Sequence, residues 1–255
     1  MLRNIFDSHA HYNDNAFDAD RDTLLSALPS MGVTGVINCG TDVESSRASL
    51  ALAEQYDYIF FAAGIHPEDC GDKKPEDVDV IRSLLSHKKC VAIGEIGLDH
   101  YWPEPPRELQ LTFFEAQLKL AAETQKPVII HDREAHEATM ELLRKYRPKG
   151  VLHCFSGSVE TMREAVKLGM YIGLGGAVTF KNAKRSVAVA KEVPQDRLLL
   201  ETDCPYMAPV PFRGKRNDSS LIANTAEVIA AIRETDPQLL IDICTHNTKA
   251  LFFRE

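Results

Sequence analysis

Short apolar or β-branched runs alternate with longer segments of helical periodicity along the whole chain. The first run is Asn4–Ser8, and the segment from Asp20 to Ser30 that follows it carries Leu24, Leu25 and Leu28 on one helical face. The same succession of a strand-like run and a helical segment recurs to the end of the sequence. The pattern therefore predicts repeated strand–helix units.

The other predicted strands are Val33–Cys39, Ile59–Ala63, Cys90–Ile93, Val128–Ile130, Val151–His153, Tyr171–Leu174 and Leu198–Leu200. The other predicted helices are Asp42–Tyr56, Glu76–Ser86, Arg107–Thr124, Glu134–Tyr146, Val159–Leu168, Ala183–Val193, Leu221–Glu234 and Gln238–Phe253. The strand-like runs are apolar on both faces, which is typical of buried parallel strands.

Eight such units favour a closed barrel. Neither a Pro-rich nor a Gly/Ser-rich linker separates two halves, so we predict a single domain over residues 1–255. A doubly wound open sheet is the alternative, because counting units does not prove closure. Eight units in 255 residues match the usual size of a (β/α)₈ TIM barrel, which we predict.

The composition, with 44% hydrophobic and 26% charged residues, is that of a globular protein. A chain of this length buries a core that needs no structural metal, so a metal here would serve chemistry. The net charge of −8 argues against non-specific coating of nucleic acid. It leaves room for an enzyme that contacts a few phosphates through a local basic patch.

The six cysteines are scattered and include no Cys-x-x-Cys pair, which indicates a reducing compartment. No N-terminal run resembles a signal peptide, and no run approaches the roughly 20 apolar residues of a membrane span. We therefore expect a soluble cytoplasmic protein that does not bind membranes. The sequence leaves the oligomeric state open, and a monomer is compatible with it.

Side chains that commonly bind metals recur where the predicted strands end. They are His9 and His11 after the first strand, His66 after the third, Glu95 after the fourth, His131 after the fifth, His153 at the end of the sixth and Asp203 after the eighth. In a (β/α)₈ barrel these strand ends meet at one face, where the active site lies. Residues far apart in sequence would thus converge.

Single members of this set have ordinary explanations. The His9-x-His11 pair in extended chain points both imidazoles the same way, yet loop packing explains such a pair equally well. A lone histidine such as His131 is more often a core residue than a ligand. Glu95 and Asp203 are harder to explain, because a carboxylate in so apolar a run must be paired or bound to a metal. The complete set favours a metal site.

Several motifs containing these residues together resemble the TatD family, which are metal-dependent deoxyribonucleases among the amidohydrolase-like barrels. The motifs are Asp7–His11 (DSHAH), Gly64–Pro67 (GIHP), Gly94–Asp99 (GEIGLD), Pro127–His131 (PVIIH), His153–Gly157 (HCFSG), Glu201–Tyr206 (ETDCPY), Arg213–Asn217 (RGKRN) and Asn247–Phe252 (NTKALF). The resemblance runs nearly from end to end. It departs at His100 and at Asp218-Ser219-Ser220, which stands where a Glu-Pro pair is usual.

The resemblance implies a site for two divalent metal ions. His9, His11 and Asp203 would bind one ion, His131 and His153 would bind the other, and Glu95 would bridge them. Mg²⁺ or Mn²⁺ is the expected cofactor, while the four imidazoles would also suit Zn²⁺ or Ni²⁺.

The functional hypothesis is a 3′–5′ exonuclease-like deoxyribonuclease acting on single-stranded DNA. A water activated at the metals would attack the phosphodiester, with Glu95 and Asp203 as catalytic carboxylates and Asp203 also as general base. His66, Arg213 and Lys215 are the candidate contacts to substrate phosphates; barrels often bind phosphate in the loops after strands 7 and 8.

The sequence is compatible with two alternatives. A metal-dependent deacylase or amidohydrolase acting on a substrate other than DNA would use the same metals, although many relatives of that type bridge their metals with a carboxylated lysine where this chain has Glu95. A non-catalytic nucleic-acid-binding module predicts a lost metal ligand, and none is missing.

Overall fold

The computed structural model describes residues 1–253 and contains an eight-stranded sheet whose neighbours follow chain order. Each pair of neighbours from the first strand to the eighth is parallel. The strands are β1 (Ile5–Ala10), β2 (Val33–Cys39), β3 (Ile59–Ala63), β4 (Cys90–Asp99), β5 (Val128–Arg133), β6 (Gly150–Leu152), β7 (Tyr171–Leu174) and β8 (Leu198–Leu200).

Helices connect the strands and cover the outside of the sheet. They are α1 (Arg21–Ala27), α2 (Val43–Gln55), α3 (Asp77–Leu84), α4 (Arg107–Thr124), α5 (His136–Tyr146), α6 (Val159–Lys167), α7 (Lys184–Glu192), α8 (Ile222–Arg233) and α9 (Pro237–Phe252). The predicted (β/α)₈ barrel is confirmed.

The barrel closes between β8 and β1 through a few bonds at their carboxyl ends. Ala10 and Cys204 form an isolated parallel bridge, and the His11 N–H donates to the Cys204 carbonyl over 2.8 Å. The Asp203 N–H donates to the His9 carbonyl over 2.9 Å. The closure therefore runs through three of the candidate metal ligands.

The strands are buried on both faces because alternate residues pack in two separate apolar clusters. Val36, for example, belongs to the large cluster that includes helix residues such as Phe114, whereas its neighbour Ile37 packs with Ile129 and Leu199. Since successive strand residues point to opposite faces, one cluster lies outside the sheet and the other fills the barrel. This arrangement explains the unbroken apolar runs in the sequence.

The ends of four strands differ from the prediction at the site. β6 spans Gly150–Leu152, so His153 directly follows it, whereas three other strands are longer than predicted. β1 continues to Ala10, β4 to Asp99 and β5 to Arg133, so His9, Glu95 and His131 lie within strands. The apolar runs end before the strands do, because the last residues of these strands include polar side chains that lie at the mouth of the barrel.

The first helix is also shorter than predicted. It ends at Ala27 and passes into a 3₁₀ turn that contains Pro29. Proline lacks the N–H that a continuing helix would need. Within residues 1–253, no helix is long and apolar enough to cross a bilayer.

Candidate metal centre

The barrel brings the six predicted metal-site residues together at the carboxyl ends of the strands, with Glu95 in the middle. Glu95 Oε1 lies 2.7 Å from His153 Nε2 and 3.0 Å from His131 Nδ1. Its Oε2 lies 3.1 Å from His9 Nε2 and 3.4 Å from His11 Nε2. Each carboxylate oxygen thus faces a different pair of imidazoles, which is the arrangement that a bridging ligand requires.

Asp203 completes the half of the centre that contains His9 and His11. Its Oδ1 lies 3.7 Å from His9 Nε2 and 3.5 Å from His11 Nε2. The residue has a φ of +58°, in the left-handed region, which is costly for a residue with a Cβ and recurs at functional sites. Asn217 helps to fix this loop, because its side-chain amide donates to the carbonyls of Thr202 and Tyr206.

Hydrogen bonds at the outer edges of two imidazoles fix which nitrogen faces the centre with a lone pair. The Nδ1 of His11 donates to the Cys39 carbonyl over 3.0 Å, which leaves Nε2 free to coordinate. The Nε2 of His131 lies 2.9 Å from Asp99 Oδ2, which leaves Nδ1 facing Glu95. Carboxylate- or carbonyl-held imidazoles of this kind are typical of metal ligands. The donor set therefore fits a pair of divalent ions.

His66 also contacts Glu95, but it turns an N–H and not a lone pair toward the centre. Its Nδ1 accepts the backbone N–H of Glu68 over 3.1 Å, so the ring proton must sit on Nε2, 3.3 Å from Glu95 Oε1. His66, Glu68 and His131 do lie close enough together to hold an ion. The tautomer nevertheless makes His66 a hydrogen-bond donor.

The charges within the cluster balance one another. Burial raises the pKa of Glu95, but the neighbouring histidines outweigh burial and hold it well below its ordinary value. Burial lowers the pKa of His131, but its bonds to Asp99 and Glu95 raise it to about 10. Burial and the charge of His153 lower the pKa of His9 to about 4. Without a metal, protons on selected imidazoles offset the buried carboxylates, which is the role a cation would take.

Glu201 is a functional candidate that the sequence reasoning did not single out. It is 1% exposed, and burial raises the pKa of its carboxyl to about 8. Its Oε1 accepts the Cys154 N–H and lies 3.8 Å from His153 Nδ1. Among the described residues, Glu201 Oε2 and His153 Nδ1 are buried without a hydrogen-bond partner. The sequence did contain a signal for it: Glu201 directly follows the apolar run Leu198–Leu200 and stands two residues before Asp203.

A buried hydrogen-bond network around Asp7 holds β1 against the loop after β8. Asp7 accepts from the Thr202 N–H and hydroxyl and from the hydroxyl of Ser219, which also bonds to Tyr12. Burial raises the pKa of Asp7 to about 6 despite these bonds. Ser219 lies in the segment that departs from the family pattern, and its hydroxyl supports the strand that carries His9.

A cavity of about 530 Å³ opens above the metal-site residues. Trp102, Tyr206 and Met207 line it and are 47%, 55% and 37% exposed, so aromatic and apolar surface surrounds the opening. Arg133 also lines it and was missed by the sequence reasoning, although it stands two residues after His131 on the same strand. That spacing points both side chains to the same face.

Of the three predicted phosphate contacts, Arg213 and Lys215 do not line this cavity. The Arg213 guanidinium lies 4.2 Å from the centre of the Phe180 ring, and Lys215 is exposed. Arg216 forms two 2.7 Å bonds to the Asp20 carboxylate. His66 does line the cavity.

A larger cavity of about 800 Å³ lies at the opposite end of the barrel, near the starts of β4 to β8. Basic residues including Lys126, Arg147 and Lys149 line it, but none of the candidate metal ligands does. Volume alone therefore does not locate the chemistry.

Comparison with known proteins agrees with this geometry. The sequence profile described as "TatD related DNase" matches residues 6–253. The chain is 41% identical to the metal-dependent hydrolase YabD of Bacillus subtilis over 97% of this chain and 98% of YabD. It is 34% identical to the 3′-5′ ssDNA/RNA exonuclease TatD of Salmonella typhimurium, with the same coverage.

The crystal structure of YjjV, a TatD homologue from Escherichia coli K12, superimposes with a TM-score of 0.93 at 32% identity and covers 100% of both chains. The fold, the converging donor set and these relatives agree. The chain belongs to the TatD family of metal-dependent hydrolases.

Proposed function

We propose that this enzyme removes nucleotides from single-stranded DNA in the 3′ to 5′ direction by metal-dependent phosphodiester hydrolysis. His9, His11 and Asp203 would hold one ion, His131 and His153 the other, and Glu95 both. The observation that carries the assignment is the position of Glu95, whose two oxygens face different imidazole pairs. The name of the Salmonella relative supports the choice of substrate and direction.

Divalent ions would supply Lewis-acid polarisation of the phosphoryl oxygen and a lowered pKa for the attacking water. Mg²⁺ or Mn²⁺ is the proposed working ion, although Zn²⁺ and Ni²⁺ also suit a site with four imidazoles.

The residues of the chain itself would position the substrate and transfer the proton. Asp203 has a side chain that is 19% exposed, so it can reach the attacking water and act as general base. His66 points its Nε2–H into the centre and would donate to a phosphoryl oxygen. Arg213 and Lys215 would contact the DNA backbone farther from the cavity.

We also propose a cytoplasmic location and a nucleic-acid partner that arrives as substrate. All six cysteines are free, and five of them are buried. Free thiols throughout a chain are typical of proteins from reducing compartments.

Metal removal and restoration test the proposed function. After chelation, the protein should not degrade 5′-labelled single-stranded DNA, and added Mg²⁺ or Mn²⁺ should restore stepwise shortening from the 3′ end on a sequencing gel. Asp203→Asn should lower the rate by about 1,000-fold, because it removes the proposed base and one charged ligand.

Asp196→Asn is the matched control, since Asp196 is exposed near the opposite end of β8 and pairs with Arg197. It should retain wild-type activity. If calorimetry shows two bound ions and no ion restores cleavage, the assignment to DNA hydrolysis is wrong.

Asp99→Asn should weaken metal binding by about 10–100-fold. Asp99 accepts the Nε2–H of His131 and so keeps the Nδ1 lone pair of that ring turned toward the metal centre. The measurement is a competition titration with a metal-binding dye. Asp132→Asn is a close control: Asp132 contacts His136 Nδ1 at 2.7 Å on the other side of β5. Equal losses in the two variants would contradict a specific role for Asp99.

A further inference from the structure

Arg133 is the last residue of β5 and lines the cavity above the metal-site residues. The alternation of the strand sets its direction: His131 contacts Glu95, Asp132 turns away to contact His136, and Arg133 returns to the cavity side. Arg133 lies two residues beyond His131, or roughly 6.6 Å along the strand. The backbone of Arg133 therefore lies nearer the mouth of the barrel than the metal centre does.

Aromatic side chains hold the Arg133 guanidinium. Its carbon lies 3.8 Å from the centre of the Tyr101 ring and 5.9 Å from that of Trp102. The two rings meet edge to face with centres 4.8 Å apart. Asp99 Oδ1 accepts the backbone N–H groups of both residues, over 2.9 Å from Tyr101 and 3.4 Å from Trp102. Stacking covers one face of the guanidinium and leaves the N–H groups in its plane free to donate hydrogen bonds.

The surrounding charge makes this arginine unusual. Asp14, Glu68 and Asp69 line the same cavity, and Arg133 is the only arginine or lysine among the described residues that do. Yet within residues 1–253 no carboxylate lies within 4.0 Å of its guanidinium nitrogens. Arg216, by contrast, is paired with Asp20. An unpaired, stacked guanidinium in an otherwise acidic cavity is suited to bidentate contact with two oxygens of an anion such as phosphate.

We propose that Arg133 binds the non-bridging oxygens of the backbone phosphate adjacent to the scissile one, with Tyr101 and Trp102 as its stacking platform. This inference rests on the proposed phosphodiester hydrolysis and extends it. It makes Arg133 a specificity residue that favours substrates with more than one phosphate. Tyr101 and Trp102 are 54% and 47% exposed, so they also offer a face on which an unpaired base stacks.

The kinetic test compares two substrates. Arg133→Ala should lower kcat/KM for a single-stranded oligonucleotide by about 30-fold, mainly through KM, because one charge-assisted phosphate contact is lost. It should change the hydrolysis of bis(p-nitrophenyl) phosphate, which has a single phosphate, by less than about 3-fold. Arg133→Lys should recover only part of the loss, because an ammonium group neither stacks nor forms a bidentate contact.

Tyr101→Ala should show a smaller defect on the oligonucleotide, and Tyr101→Phe should remain near wild type. Arg144→Ala is the control, because Arg144 is an exposed arginine of α5 that pairs with Glu164. It should match wild type on both substrates. Unchanged oligonucleotide kinetics in Arg133→Ala would overturn the inference, as would an equal loss on the two substrates.

A binding measurement separates this inference from the proposed function. Fluorescence anisotropy with labelled oligothymidylate and Ca²⁺ in place of the working ion gives the salt dependence of affinity, with strand integrity checked on a gel. Arg133→Ala should reduce the slope of log K against log salt by about 0.7. If wild type hydrolyses neither substrate, the proposed function fails, and this slope still decides whether Arg133 contacts a phosphate. An unchanged slope would refute the contact.

Discussion

Glu95→Gln should reduce hydrolysis by at least about 1,000-fold and remove the thermal stabilisation that divalent ions provide. The substitution keeps the size of the side chain but removes its negative charge, and it places an amide nitrogen where imidazole lone pairs converge. Removing a group that only orients a ligand costs about 10–100-fold in metal affinity, so loss of the proposed bridging ligand should cost more. Isothermal titration calorimetry and melting curves with and without metal measure both effects.

Glu164→Gln is the control for this variant, because Glu164 is a partly exposed glutamate that pairs with Arg144, away from the metal centre. It should bind two ions and hydrolyse DNA like wild type. Two tightly bound ions in Glu95→Gln would show that Glu95 does not bridge the metals. Activity near wild type would show that the catalytic centre lies elsewhere.

Gly97→Ala should destabilise the metal-free protein by about 4 kcal/mol and lower its melting temperature by roughly 10 °C. Gly97 has a φ of +146°, and a Cβ built there would lie 2.0 Å from the backbone carbonyl oxygen of His131. That oxygen belongs to the neighbouring strand, where Gly97 pairs with His131. Relief of the clash must move β4 or β5, so the variant should also bind metal more weakly.

Gly169→Ala separates the clash from backbone strain. Gly169 also has a positive φ, +96°, but a Cβ there would meet nothing within 4 Å. Its substitution should cost only about 1–2 kcal/mol. Chemical denaturation of the two variants in chelator provides the comparison. Similar losses of stability would mean that the contact with His131 is relieved without cost.

The sequence predicted the barrel well because buried parallel strands are recognisable as apolar runs. It predicted β4 poorly: the run ended at Ile93, while the strand continues to Asp99. Gly94, Glu95 and Gly97 each look unlike strand residues. They are tolerated because backbone pairing with β5 resumes at Ile96 and continues to Asp99. Local propensity could not show that tertiary requirement.

The convergence of the six metal-site residues was predictable from strand ends, but the roles of their neighbours were not. The sequence alone does not distinguish between an Asp99 that orients a ligand and one that caps the loop, and the structure shows both contacts. Arg133 was missed although it shares the period of His131, because an arginine at a strand end is most often solvated. Contacts such as that between Arg133 and Tyr101 depend on loop conformation, which apolar patterning does not record.

The closure between β1 and β8 also has a consequence for the order of folding. Asp7 and Thr202, whose side chains join the two edges, are 195 residues apart along the chain. Contacts so distant in sequence have a high loop-closure entropy and tend to form late. An intermediate with its last strand undocked would lack Asp203 beside His9 and His11. Hydrolytic activity that returns during refolding would therefore measure only the molecules whose barrel has already closed, which makes catalysis itself a reporter of the final step of assembly.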